Sequence, residues 1–342
     1  MLLAIYKKMI AEKTSIESNH RGQSFILNAL SFLTLLILMI LLILSLYVIY
    51  TNIPGEPEYL NVNIQKIPKN IETKLSNAQQ FYNNMKFNHN DISYIVNNDC
   101  DEEQRKRMER AFKELSDMVG KITFYSTGFS PDIEVSCSND RGENVEKNYF
   151  VAGEGGAKEI IETGRYYIIT NGIIFLYEGN KKWIKCPHPN IEMHELLHVF
   201  GFDHSDDKKS LMYSYLTSCD QVLDDSIVNE LKRLYSEDNL PELYFENFTS
   251  IKKGRYLDFN FTIKNSGSVD SGNIILTIME DDDVLEVRDL GVINFGAGVF
   301  LQTTNLRLNQ RNPDQIRFII DRENSIEEIN EANNFAIISL TP

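Results

Sequence analysis

The apolar positions of the chain begin with one uninterrupted run near the N-terminus. Residues 29–50 read ALSFLTLLILMILLILSLYVIY and contain no charged side chain. Because about 20 apolar residues cross the hydrocarbon core of a bilayer, this run predicts a transmembrane anchor. A cleaved signal peptide is the alternative, but its apolar stretch is usually about 7–15 residues long and ends in small residues. Residues 47–53 offer no such small-x-small site.

The basic residues around this run predict its orientation. They are concentrated on its N-terminal side, at Lys7, Lys8, Lys13 and Arg21, and none follows the run before Lys66. By the positive-inside rule, we expect residues 1–28 to be cytoplasmic and the rest of the chain after the span to be extracytoplasmic. The stretch RGQS at 21–24 resembles the processing site of archaeal pilin-like precursors, and cleavage there would still leave the apolar anchor in place.

The pattern becomes mixed after residues 51–75, a polar, proline-containing segment that we expect to be a stalk. Strands are predicted at 92–96, 122–126 and 132–136, an irregular edge strand at 149–161, and a strand bent at Asn171-Gly172 at 165–177. An amphipathic helix is predicted at 101–119, with Met108, Ala111, Phe112, Leu115 and Met118 at helical spacing. Further helices are predicted from 191 and over 224–235. Together these elements predict an α+β domain spanning 76–240.

From about residue 243 the pattern changes to short alternating runs such as LDFNFTI, IILTIME and IRFII, separated by Gly, Asn and Asp. Several short strands at this spacing, without helices, predict an all-β sandwich over 243–342. The run NEANN at 330–334, just before the last strand, resembles the end of CARDB-type domains, which are Ig-like. An unrelated sandwich with an Asn-rich turn is the alternative.

Composition limits the partners of the protein. Of its 342 residues, 42% are hydrophobic and 24% are charged, with a formal net charge of −15. Nucleic acids reward clustered Lys and Arg, so this acidity argues against a nucleic-acid partner. We expect contact with the membrane through the single N-terminal helix, and a surface partner for the sandwich domain is possible.

All four cysteines lie after the apolar run, which is consistent with an extracytoplasmic location. An even number there indicates two disulfides, and none of the spacings is C-x-x-C, which argues against a zinc knuckle or a redox motif. Four cysteines allow three connectivities. We predict the pairs Cys100–Cys137 and Cys186–Cys219, the second of which would brace the helix that begins near 191.

The candidate chemistry lies in residues 194–204, HELLHVFGFDH. On a helix, His194 and His198 lie one turn apart on the same face and can share a metal ion, while Glu195 lies beside that ion. Gly201 can end the helix with a left-handed residue, so that the chain reverses and His204 supplies a third nitrogen. Three protein ligands leave one tetrahedral position for water, which is the arrangement of a catalytic zinc site.

This pattern resembles that of the metzincin peptidases, H-E-x-x-H-x-x-G-x-x-H followed by a methionine turn. Ser205 and the run SLMY at 210–213 are similar to the matrixin branch, and the resemblance implies that Met212 is the turn methionine, beneath the zinc without binding it. Ser214 stands where matrixins usually have Pro, and no cysteine-switch motif precedes the domain. Calcium is common in matrixins, but no calcium site can be assigned to residues here.

The resemblance implies a metzincin-like catalytic domain, with a twisted mixed sheet and an active-site helix, that hydrolyses peptide bonds. One catalytic Zn²⁺ would be held by His194, His198 and His204, with Glu195 as general base. The substrate, a protein or peptide, would bind extended and antiparallel to the edge strand at 149–161. Two alternatives remain: a cell-surface adhesion or structural protein with a non-catalytic zinc site, and a zinc hydrolase that acts on something other than peptides.

Overall fold

The computed structural model describes residues 9, 28, 30–64, 79–138, 151–177, 186–216 and 218–340. The N-terminal basic residues, the stretch at 21–24, the last part of the predicted stalk and the start of the predicted edge strand lie outside them. Helix α1 (Leu30–Asn52) is 23 residues long with a mean hydropathy of 3.0, long and apolar enough to cross a membrane. A signal sequence near an N-terminus has the same properties.

Within 79–236, the residues that the structure describes form three helices and six strands. The helices are α2 (Glu102–Val119), α3 (Asn190–Val199) and α4 (Asp225–Leu234). The strands are β3 (Met85–Lys86), β4 (Asp91–Val96), β5 (Thr123–Ser126), β6 (Ile133–Ser138), β7 (Gly153–Glu162) and β8 (Tyr167–Tyr177). They follow the predicted order of elements, and β8 continues through Asn171-Gly172 without a break.

Helix α2 begins and ends where its sequence specifies. Asp101 and Gln104 form a capping box, in which each side chain accepts a hydrogen bond from the backbone amide of the other, and Gly120 ends the helix in the left-handed conformation. The buried stripe ends at Val119, whereas Met118, predicted as a core residue, is 38% exposed. Val119 lies four residues after Leu115, and this i+4 position, not the i+3 position, faces the core.

The six strands form one sheet in the order β3-β8-β6-β4-β5, with β7 paired to β8 outside this path. All pairs are parallel except β7–β8, which is antiparallel, so β7 is added at the side of a parallel sheet. The sheet and helices share one apolar core, to which α2 contributes Phe112 and α3 contributes Leu196 and Phe200. The region is therefore a mixed α/β domain.

The remaining strands form two sheets. They are β1 (Pro57–Leu60), β2 (Val62–Ile64), β9 (Leu243–Lys253), β10 (Tyr256–Asn265), β11 (Ile274–Glu280), β12 (Asp283–Gly291), β13 (Gly298–Arg307), β14 (Gln315–Ile320) and β15 (Phe335–Ser339). One sheet has the order β1-β9-β10-β13 and the other β12-β11-β14-β15-β2. The ring of Phe318 on β14 lies 4.9 Å from that of Phe259 and 5.7 Å from that of Phe261, both on β10. These contacts join the two sheets into an all-β sandwich.

Residues 57–64 differ from the stalk expected over 51–75. Strand β2 pairs antiparallel with β15 through Ala336–Ile64, Ile337–Asn63 and Ile338–Val62, and β1 is the first strand of the other sheet. Of the three prolines that favoured a stalk, Pro54 and Pro57 lie before or at the start of β1, where a missing amide costs no ladder hydrogen bond. Pro68 lies outside the described residues. In sequence order, strands β1 and β2 of the sandwich thus precede the α/β domain, and strands β9 to β15 follow it.

The described residues divide into two compact units, one of which draws on those up to residue 59 together with 251–258 and 304–312. Within this unit Arg311 donates from Nη1 to the carbonyl oxygen of Tyr50 at 2.7 Å, and its guanidinium lies 5.1 Å from the centre of the Tyr50 ring. Arg307 donates to Oδ1 of Asn52 at 3.2 Å. Cations at a helix C-terminus satisfy free carbonyls and oppose the helix dipole, so Arg311 caps the end of α1.

Candidate active site

The three motif histidines converge on one point beside helix α3. Nε2 of His198 lies 3.0 Å from Nε2 of His194 and 3.2 Å from Nε2 of His204. One ligand atom from each of the three falls within 4.8 Å of the others, a grouping that could hold a metal ion. For comparison, nitrogens bound tetrahedrally to one zinc at about 2.05 Å lie about 3.3 Å apart. The spacing therefore fits a single small cation.

The other ring nitrogens define the tautomers of two of these histidines. Nδ1 of His194 lies 2.8 Å from the carbonyl oxygen of Leu211, and Nδ1 of His198 lies 2.7 Å from that of Phe202. A carbonyl can only accept, so both Nδ1 atoms carry hydrogen and, in the neutral rings, both Nε2 atoms present lone pairs. Burial lowers the pKa of His194 to about 4 and lowers that of His198, which keeps both rings neutral at pH 7. Two lone pairs facing one another across 3.0 Å repel, and a cation held between the two nitrogens would offset that repulsion.

The third histidine reaches the site because the chain reverses after α3. Gly201 has φ of 83°, a left-handed conformation that favours glycine, and its amide donates to the carbonyl of His198. The amide of Phe202 donates to the carbonyl of Leu197, which tightens the turn. This is the helix end that the sequence predicted at Gly201, and it places the exposed His204 opposite the helix.

Glu195, the proposed base, follows His194 on α3 and is 6% exposed. Burial raises the pKa of its carboxyl to about 8, and the nearby charge of Glu154 acts in the same direction, while a hydrogen bond from the Gly155 amide opposes both. A cation held by the histidines would also favour the carboxylate, since an opposite charge stabilises the ionised form. The group is thus placed to gain and release a proton near neutral pH.

Strand β7 lies directly against this carboxylate and its helix. A Cβ added to Gly153 would lie 2.7 Å from Cγ and 2.8 Å from Oε1 of Glu195. One added to Gly155 would lie 2.1 Å from the carbonyl oxygen of Glu195, whereas one at Gly156 would meet nothing within 4 Å. Two glycines are therefore required by close packing. The prediction of an irregular edge strand at 149–161 gave these glycines no role, and their G-x-G alternation is the sequence signal that indicates the close approach to α3.

The predicted methionine turn contacts the site through its backbone. Met212 is buried, its amide donates to Oγ of Ser210 at 3.0 Å, and its carbonyl accepts from the amide of Ser205. The neighbouring residue, Leu211, supplies the carbonyl that orients His194. Residues 205–213 thus lead the chain from His204 back to Leu211, whose carbonyl is the hydrogen-bond acceptor of His194. Ser214, which follows this turn, is exposed.

Two further contacts fix the N-terminal end of α3. Arg107 on α2 binds both carboxylate oxygens of the buried Glu192, at 2.8 and 3.1 Å. The structure forms the predicted disulfides Cys100–Cys137 and Cys186–Cys219. The second connects the residues just before α3 with the segment that follows the methionine turn. His188, between Cys186 and the start of α3, is exposed, and its Nδ1 lies 3.8 Å from Oε1 of Glu114.

Two family models match separate parts of the chain. Residues 86–236 match the family model of Matrixin, and residues 241–337 match that of CARDB. No curated protein matches the chain.

Two solved structures are similar to part of the chain. The CARDB domain of a Pyrococcus furiosus protein, solved in complex with di-metal ions, has 16% identity and a TM-score of 0.26, and covers 30% of this chain and 88% of that one. A Methanosarcina acetivorans domain solved by NMR has 19% identity and a TM-score of 0.24, and covers 30% of this chain and 93% of that one. The family matches show that the chain is similar to matrixins over residues 86–236 and to CARDB domains over residues 241–337.

Proposed function

We propose that this protein is a membrane-anchored, extracytoplasmic zinc endopeptidase with a metzincin-like catalytic domain. The observation that carries the proposal is the convergence of three histidine Nε2 atoms beside a buried glutamate, within a region similar to matrixins. His194, His198 and His204 would hold the metal. A zinc ion bound there would supply the Lewis acidity that brings the pKa of a bound water to about 7.

Glu195 acts on protons in this mechanism. Its carboxylate accepts a proton from the attacking water as the water oxygen bonds to the scissile carbonyl carbon. When the C–N bond breaks, the same carboxyl delivers that proton to the leaving amine. The burial that raises the pKa of Glu195 supports both roles, because the group must bind and release a proton at the same pH.

Strand β7 is the proposed binding edge for an extended peptide. Among the described strands it pairs only with β8, so its other edge offers backbone groups to a further strand. Its first residues lie against Glu195, so a peptide added to that edge would pass beside the base. This favours extended protein or peptide substrates, bound antiparallel to β7.

The membrane location rests on α1 and on the charges around it. We place residues 1–28 in the cytoplasm and the two folded domains outside, because the basic residues precede the apolar helix. The two disulfides support an oxidising compartment.

The experiment that tests this function measures zinc content and peptide cleavage on the same samples of wild type, Glu195→Gln and His198→Ala. We expect Glu195→Gln to keep one zinc per chain and lose about 10²–10⁴-fold in turnover. His198→Ala should lose both metal and activity, because two nitrogens bind zinc more weakly than three. Cleavage by Glu195→Gln at the wild-type rate would place the chemistry elsewhere.

The second candidate is a cell-surface adhesion or structural protein whose zinc site is not catalytic, which the CARDB match favours. A wild-type protein that binds one zinc yet cleaves nothing in a broad peptide library would support it.

A further inference from the structure

The hairpin that carries the proposed binding edge has a second anchor far from the histidines. Strands β7 and β8 are joined by a tight turn in which the amide of Thr163 donates to the carbonyl of Tyr166. The Thr163 side chain is 6% exposed although it lies at the tip of a hairpin. A buried hairpin tip requires a neighbouring surface, and here that surface belongs to the sandwich domain.

One contact is a buried hydrogen bond. Oγ1 of Thr163 donates to the carbonyl oxygen of Ser266, in the turn after β10, at 2.9 Å. That turn is itself held, because Asn265 accepts through Oδ1 from the amides of Glu242 and Gly267. The acceptor for Thr163 is therefore a fixed backbone group.

A second contact is made by the loop between β12 and β13. A Cβ added to Gly296 would lie 2.8 Å from Cγ2 of Ile161 and 3.0 Å from the carbonyl oxygen of Glu162, both on β7. The amide of Gly296 donates to the carbonyl of Asn265, so this loop and the turn after β10 form one surface. The sandwich thus contacts the last two residues of β7 and the turn that follows.

Strand β7 contacts Glu195 at one end and the sandwich domain at the other. Strand β7 begins with Gly153 against the carboxylate of Glu195 and ends with Glu162 against Gly296. Its pairing with β8 shifts register around Lys158, so regular pairing alone does not fix the distal half. Because β7 lies on the outer side of the sheet and pairs irregularly in its middle, its C-terminal half needs a further constraint to hold one position.

We propose that the sandwich domain positions β7 for substrate binding, with Thr163 and Gly296 as positioning residues. The inference rests on the proposed peptidase function and gives the second domain a role in it. Moving the distal half of β7 would misalign the backbone groups that pair with an extended peptide, and would leave the histidines and Glu195 in place. The expected signature is weaker substrate binding, a raised KM, with kcat nearly unchanged.

The test compares two glycine substitutions in the full-length protein. Gly296→Ala pushes a methyl group against Ile161 and Glu162. Gly291→Ala is the matched control: its φ of 71° is close to the 74° of Gly296, so the backbone strain is alike, but nothing lies within 4 Å of the added Cβ. We expect Gly296→Ala to raise KM about three- to ten-fold, the size of one or two weakened hydrogen bonds, and Gly291→Ala to leave KM at the wild-type value.

Two substitutions of Thr163 provide a second, independent comparison. Thr163→Val removes the hydroxyl with little change of shape, whereas Thr163→Ser keeps the donor to Ser266. We expect a raised KM for the valine variant and recovery in the serine variant. A loss of folded protein in either variant would instead lower the apparent kcat at unchanged KM, because fewer active molecules would remain. That pattern, or equal KM values for Gly296→Ala and Gly291→Ala, overturns the proposal.

Hydrogen exchange separates this proposal from the peptidase function itself. Amides of residues 160–162 should exchange faster in Gly296→Ala and Thr163→Val than in their controls, while α2 amides stay protected, whether or not the protein cleaves peptides. Faster exchange without any cleavage by wild type would refute the peptidase and leave the constraint on β7 intact. Unchanged exchange in both variants would refute the constraint even in an active enzyme.

Discussion

The backbone of Gly155 packs against the backbone of Glu195 so closely that a Cβ on Gly155 would lie 2.1 Å from the Glu195 carbonyl oxygen. The amide of Gly155 also hydrogen-bonds to the Glu195 carboxyl and stabilises its ionised form. One residue of the proposed binding edge thus contacts both the main chain and the side chain of the proposed base. The position of the first residues of β7 and the ionisation of Glu195 are therefore linked.

Gly155→Ala should disrupt this link. The methyl group cannot be accommodated beside a backbone carbonyl, so β7 must move away from α3 and the hydrogen bond to Glu195 must lengthen. We expect kcat/KM to fall by at least about ten-fold, since small displacements of aligned groups are costly. Zinc content should be unchanged, because no histidine is touched.

Gly156→Ala is the control for this prediction, since a Cβ there meets nothing within 4 Å. Equal losses of kcat/KM in the two variants would show that glycine is needed in β7 for flexibility and not for its approach to Glu195.

The two disulfides should contribute similarly to stability but differently to metal binding. Their sequence separations are 37 and 33 residues, so the loop-closure entropies are nearly equal. Replacing both cysteines of either pair by serine should cost about 2–5 kcal/mol in the free energy of unfolding, measured with urea. Only loss of Cys186–Cys219 should also weaken zinc binding in a competitive chelator titration, because only that pair flanks α3. Equal zinc affinities in the two variants would contradict this.

The stability of the sandwich should depend on pH through Glu328. Burial raises the pKa of its carboxyl from 4.5 to about 7, against hydrogen bonds from the Leu243 amide and the Asn334 side chain. Its favourable contribution is therefore fully present below about pH 4.5 and is lost as the pH rises towards 7. The buried Glu242, whose pKa burial also raises, acts in the same direction.

Glu328→Gln should reduce this dependence. We expect the decline in the free energy of unfolding between pH 5 and 7 to be smaller by roughly 1–3 kcal/mol in the variant, measured by urea unfolding at several pH values. Glu327→Gln, at the exposed neighbouring position, is the control and should keep the wild-type slope. An unchanged slope in Glu328→Gln would show that this carboxyl titrates normally.

The proposed membrane anchor predicts which part of the chain is protected from protease in intact cells. Protease added to intact cells should digest the chain after α1 and leave a protected N-terminal stub, detected with a tag at residue 1. Permeabilised cells are the control, in which the stub should also be lost. Protection of the C-terminal domain in intact cells would invert the topology, and a secreted protein without the stub would identify α1 as a cleaved signal.

The sequence by itself determined the elements whose causes are local. The capping box at Asp101, the helical spacing of His194 and His198, and the helix end at Gly201 each depend on residues within about one or two turns of one another. The order of helices and strands and the change to an all-β domain near residue 243 were also predicted. Hydrophobic period and turn chemistry carry this information because they act over short distances along the chain.

Only the tertiary structure decided the contacts between residues distant in sequence. Residues 57–64 appeared to be a stalk because short strands with few apolar residues have little pattern of their own, and their pairing depends on β15, more than 270 residues later. The closeness of Gly155 to Glu195 and of Gly296 to Ile161 likewise produces no periodic pattern in the sequence. A glycine indicates at most that space is limited, and does not show which residue lies beside it. Packing between distant segments is set by the whole fold, and that is where the binding edge acquires its position.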